Sequence, residues 1–136
     1  MSESAWRRKE IWSRDGKNFL VQISRHGESR SEDDYSPEGP HRWCVYAYIY
    51  PKHPRFAKFE GSAMWQAAAT ALPMHGGPSL LTLHYGDDGK VLSVQVGCDY
   101  NHLHDDGYTH LATAEQAWSV FNDADELFDY LQSEAS

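Results

Sequence analysis

Residues 42–50, Arg-Trp-Cys-Val-Tyr-Ala-Tyr-Ile-Tyr, are dominated by aromatic and β-branched side chains and predict the strongest strand in the chain. One face carries Trp43, Val45, Ala47 and Ile49, and the other Cys44, Tyr46, Tyr48 and Tyr50. Both faces are largely apolar, so the strand is expected at the centre of a sheet. Pro51 and Pro54 end it. Asn18 to Ser24 reads as a second strand, with Leu20 or Val21 and Ile23 turned to the core. A short strand before it would turn at Asp15-Gly16-Lys17-Asn18.

A hairpin follows further along. Leu81, Leu83 and Tyr85 alternate on the first arm, and Leu92, Val94 and Val96 on the second. Gly86-Asp87-Asp88-Gly89 between them supplies the positive φ values of a tight turn. Alanine-rich residues 62–72 predict a helix, with Ser62 as its cap and Pro73 as its stop. Residues 113–133 predict one or two further helices, divided at Asn122-Asp123. Thr113 with Gln116, and Asp123 with Glu126, fit capping boxes. Ala117, Trp118, Phe121, Ala124, Leu127, Phe128 and Leu131 trace the expected apolar stripe. The fold class expected is α+β: an antiparallel sheet of four or five strands with helices packed on one face.

At 136 residues the chain is long enough for one domain, 1–136, with its own core. Polar residues 25–41, with Gly27, Pro37, Gly39 and Pro40, are expected to form a flexible loop inside it. No apolar run fits a leader or a membrane span, so no membrane contact and a cytoplasmic location are expected. Cys44 and Cys98 are then expected as reduced thiols.

Charge changes the picture more than composition does. Residues 1–58 hold eleven of the twelve Lys and Arg against eight acids, a balance of +3. Residues 59–136 hold Lys90 alone against twelve acids, a balance of −11, and the two balances make the chain's −8. A surface this acidic repels phosphate backbones, so direct nucleic-acid binding is not expected, and Arg7-Arg8-Lys9 is too small a cluster to reverse that.

Candidate chemistry concentrates in residues 97–110, Gly-Cys-Asp-Tyr-Asn-His-Leu-His-Asp-Asp-Gly-Tyr-Thr-His. The segment follows a strand end, a rigid place from which to project ligands. His102, His104 and His110 are the candidate metal ligands, with zinc as the metal and a zinc-type hydrolase as the alternative function. No Cys-x-x-Cys or His-Glu-x-x-His occurs, and the leading reading carries no cofactor. Cys98 as a nucleophile would need His84, His102 or His104 as base, but alternation sets it on the core face. His75-Gly76-Gly77-Pro78 reads as a helix end.

The leading expectation is a binding or regulatory module, not an enzyme, that contacts a basic protein partner through acidic and aromatic side chains. Asp99, Tyr100, Asp105, Asp106, Tyr108, Asp125 and Asp129 are its candidate contact residues. An inhibitor that mimics nucleic acid toward a basic groove is one form of it. Tyr46, Tyr48 and Tyr50 on one strand face offer a homodimer contact.

Overall fold

Alternation along five strands places one row of apolar side chains after another on the same side of a single antiparallel sheet. The computed structural model describes residues 8–27, 39–57, 72–100 and 105–135. Its strands are β1 (Arg8–Gly16), β2 (Phe19–Gly27), β3 (His41–Ile49), β4 (Leu80–Tyr85) and β5 (Val91–Asp99). They lie in the order β1-β2-β3-β5-β4, every neighbouring pair antiparallel. One long helix, α1 (Trp118–Ala135), packs on β1, β2 and β3. The fold is α+β; besides α1, Phe56 and Ala57 are helical at the edge of the described residues, and the helix expected over 62–72 lies outside them except for Leu72.

Register shows how the core is built. Ile23 pairs Val45, which pairs Cys98, and Val21 pairs Ala47, which pairs Val96. Phe19, Ile49 and Val94 form the next such row. All nine side chains are buried on the face that meets α1. The expected central strand is therefore β3, flanked by β2 and β5.

The β1–β2 hairpin turns through Lys17 and Asn18, between the paired residues Gly16 and Phe19. Asn18 takes φ 66°, a left-handed conformation that asparagine tolerates better than most residues. On the far face of the sheet, the ring of Tyr46 lies over Gly97, where a Cβ would collide with it. Glycine there lets the tyrosine lie down across the neighbouring strand.

Four expectations need correction. The loop expected over 25–41 is shorter, because β2 runs on to Gly27 and β3 starts at His41. Arg25 is polar yet buried at 5% exposure, because its guanidinium bonds Glu10 and the Ala112 carbonyl. Residues 28–38 of that loop lie outside the described residues.

The division at Asn122-Asp123 is absent, since α1 is continuous there. Of the two expected capping boxes only the first forms. Gln116 N–H donates to Thr113 Oγ1 at 3.2 Å, and Gln116 Oε1 accepts from Thr113 N–H at 3.3 Å. Asp123 sits mid-helix and accepts from a tyrosine instead.

Finally, Trp118 leaves the apolar stripe and stands 70% exposed. A helix turns about 100° per residue, so Trp118 points about 100° away from buried Ala117. Val120, Ala124, Leu127, Phe128 and Leu131 are the residues that reach the sheet.

Leu127 is completely buried at the centre of this contact. Leu127→Ala should lower the unfolding free energy by about 2–5 kcal/mol, read from urea denaturation. Leu92→Ala, at a leucine 57% exposed, should change it by no more than about 0.5 kcal/mol. Equal effects of the two would contradict this core.

Candidate functional site

The residues singled out between 98 and 110 divide into an internal knot and a rim. Tyr100 follows β5, and its backbone N–H donates to the Trp43 carbonyl at 3.0 Å. That bond swings the tyrosine under α1, where it is 1% exposed. Its hydroxyl donates to Asp123 Oδ2 at 2.6 Å. Its ring stacks on His75 with centroids 4.3 Å apart and planes 15° from parallel, and Tyr108 closes the third side at 4.9 Å. His75 in turn donates from Nε2 to the Asp105 carboxylate, 2.9 and 3.0 Å from its two oxygens. Asp105 is buried, and a buried carboxylate is tolerated only with such a partner.

Tyr100 and Asp105 therefore cannot offer contact area to a partner. Both were expected at a surface, but both are buried, and their polar ends are met inside by Asp123 and His75. Tyr108 and Asp99 are half-buried, Asp99 with Ser79 Oγ 3.5 Å away. Asp106 opens a short 3-10 turn, Asp106–His110, and His110 at its end is exposed. His102 and His104 lie outside the described residues. Among the described residues, no group of three or more His, Cys, Asp or Glu side chains is placed to hold a metal ion. No described helix is long and apolar enough to cross a membrane.

Cys98 belongs to the core at 3% exposure, and burial pushes its thiol from 9.0 up to about 12. A thiol so reluctant to ionise is a poor nucleophile. Burial likewise raises Tyr46, Tyr48 and Tyr100 above the usual phenol value, most of all Tyr100.

Basic residues of the first half do not stay apart from the acids of the second. Arg55 holds Glu134 with two bonds, 2.6 and 2.7 Å, and donates to Tyr130 Oη at 2.7 Å. Beside it, His53 Nε2 donates to the Leu131 carbonyl at 2.9 Å. These contacts dock residues 53–55 on the C-terminal turns of α1, where donors and cations suit the helix dipole. Arg14 Nη1 meets Asp125 at 3.3 Å, an exposed pair.

Acid survives uncancelled on the outer side of α1. Trp118, Asn122, Glu126 and Asp129 are all exposed there, with Glu115 just before the helix. Among the described residues nothing pairs with Glu115, Glu126 or Asp129. This face contains Asp129 and adjoins Asp125, two of the expected contact residues.

Between β1, β2 and α1 runs a groove of about 170 Å³. Trp12, Phe121 and Phe128 wall it, Val21 and Ile23 floor it, and Arg14 and Asp125 stand at its mouth. Trp12 stacks on Trp43 with centroids 5.6 Å apart, and Phe121 meets it edge-on at 5.3 Å. The far face of the sheet presents half-buried Tyr46 and Tyr48, with exposed Tyr50 at its end.

Sequence reasoning missed the roles of three of these residues. His75, read as part of a helix end, stands thirty residues from Asp105, and no local spacing joins them. Arg14 is one polar residue among several on an edge strand. Trp118 carried a usable signal, its angle from Ala117, which the apolar count overrode. Comparison of the chain with known protein families, with curated proteins and with solved structures finds no match.

The buried thiol and phenols set an expectation for alkaline pH. Their folded pKa values lie above the unfolded ones, so the native state holds protons that the unfolded chain gives up. Their contribution is whole below the unfolded values, 9.0 for the thiol and 10.0 for the phenols, and is lost as pH climbs through the folded values. The urea midpoint should fall steadily from about pH 9 upward, with Tyr100 ionising only as the fold opens. An unchanged midpoint to about pH 11 would contradict these burials.

Proposed function

We propose that this protein is a non-enzymatic binding module, and that the outer face of α1 contacts a basic protein partner. Trp118 is the observation that carries the reading: a tryptophan 70% exposed in line with unpaired carboxylates. Large aromatics are costly to leave in water and are enriched where proteins meet. Glu115, Glu126 and Asp129 around it favour a cationic surface and disfavour an acidic one. A row of carboxylates on a rigid helix also suits a groove that normally holds phosphates, so an inhibitor of a nucleic-acid enzyme is one form of this function.

The face is narrower than the −11 balance suggested. Arg14, Arg55 and Tyr100 engage Asp125, Glu134 and Asp123, which leaves the outer stripe as the docking surface. Nothing in the described residues favours the zinc-hydrolase reading. Elemental analysis of untagged protein tests it separately, and stoichiometric zinc lost in a His102→Ala, His104→Ala variant would revive it.

A capped oligo-arginine peptide is a defined probe of the docking face. Trp118→Ala should weaken its binding about tenfold, and Glu126→Lys with Asp129→Lys at least as much, while the urea midpoint barely moves. Amide shifts on titration should centre on Trp118, Asn122, Glu126 and Asp129. Undiminished binding by the charge-reversed variant would overturn the proposal.

A further inference from the structure

The groove beside the docking face already holds a cation at its mouth, and that cation is the chain's own. Arg14 places its guanidinium carbon 3.7 Å from the centroid of the Phe128 ring, within cation–π range, and one of its nitrogens 3.3 Å from Asp125. Both partners of the pair are well exposed, at 58% and 65%. A pair so open to water and salt is weakly held, and its long arginine stem can swing out at little cost.

Below the mouth, the groove is apolar and its walls are aromatic. A carboxylate at the rim over aromatic walls is the arrangement that suits a long cationic side chain. Its methylenes lie along the apolar floor, and its charged head meets the ring face and the carboxylate. A neutral apolar occupant would leave Asp125 unused, and an acidic one would be repelled by it.

We propose that this groove seats one arginine or lysine side chain of the basic partner, and that Arg14 occupies the cation position until that side chain displaces it. The proposal rests on the docking reading of α1 and extends it by naming the side chain recognised. The geometry of the helix links the two. Trp118, Asp125 and Asp129 lie within about 40° of one another around α1, so the groove mouth opens beside the docking face. Arg14 then acts as a competitor held in place, and it lowers the apparent affinity by the fraction of time it fills the position.

The test compares three single variants by binding of the same capped oligo-arginine peptide. Arg14→Gln keeps most of the stem and removes the charge, and should tighten binding about two- to fivefold. Lys17→Gln removes a nearby exposed cation that does not touch the groove, so it reports the general effect of net charge. Phe128→Leu keeps the groove apolar but removes the ring face, and should weaken binding, with its fold checked by the urea midpoint. Amide shifts at Val21 and Ile23 should appear on titration of the wild type. Equal gains from Arg14→Gln and Lys17→Gln, or shifts confined to Trp118, Glu126 and Asp129, would overturn the groove while leaving the docking face standing. Absence of binding in the wild type and in Arg14→Gln alike would overturn both. Dimerisation of Arg14→Gln in sedimentation, without peptide, would overturn the proposal by giving the groove to a second copy.

Discussion

Val120, Leu127, Phe128 and Leu131 can leave water only against the sheet, and that requirement orients α1 and everything placed on it. Burying a side chain of this size contributes about 1.5–3 kcal/mol, whereas an exposed ion pair contributes at most about 1 kcal/mol. The apolar stripe therefore decides the rotation of the helix, and the Arg14–Asp125 pair forms where that rotation allows. Once the stripe is down, about 3.6 residues per turn carry Trp118, Asn122 and Asp129 outward. The exposed tryptophan is a consequence of the core and not a failure of it.

Buried polar groups do the remaining positioning. Trp43 Nε1 donates to the Leu111 carbonyl at 2.9 Å, and Gly39 N–H donates to Thr109 Oγ1 at 2.6 Å. Gly39 lies so close to the Thr109 backbone that a Cβ there would collide with its carbonyl. Arg25 reaches Glu10 and Ala112 from beneath. Together with His75, Asp105 and Tyr100, these bonds hold residues 105–112 against the sheet and bring the chain to Thr113, where the capping box opens the turn that leads into α1. Donors and acceptors left unmatched at such depth are expensive, which is why so many polar residues of this segment turn inward.

Much of the sheet was legible because its signal is local. Alternation in β3, over Leu81, Leu83, Val94 and Val96 of the β4–β5 hairpin, and at Cys98 reports which side faces the core, and register carries the same side across neighbouring strands. It fails at Tyr85 and Leu92, which are exposed beside the register shift at His84 and Tyr85. The first capping box was legible for the same reason, since its two residues stand only three positions apart. The candidate site was legible only in part. Asp125 and Asp129 were expected at a surface and lie there, but Tyr100 and Asp105 are enclosed by His75, Tyr108 and Asp123, brought from other parts of the chain. Cancellation of charge was equally invisible, since Arg14 reaches Asp125 across 111 positions of sequence.

Among the described residues, Glu126 and Asp129 stay unpaired along the exterior of α1, beside the exposed indole of Trp118. The most direct test of this docking face is the dependence of association on ionic strength. The logarithm of the binding constant for the oligo-arginine peptide is measured against the logarithm of salt concentration, with uncharged peptide of equal length as reference. The account requires a steep fall with rising salt, made shallower by the Glu126→Lys, Asp129→Lys double variant. A flat line, or a slope that the double variant leaves unchanged, would contradict it.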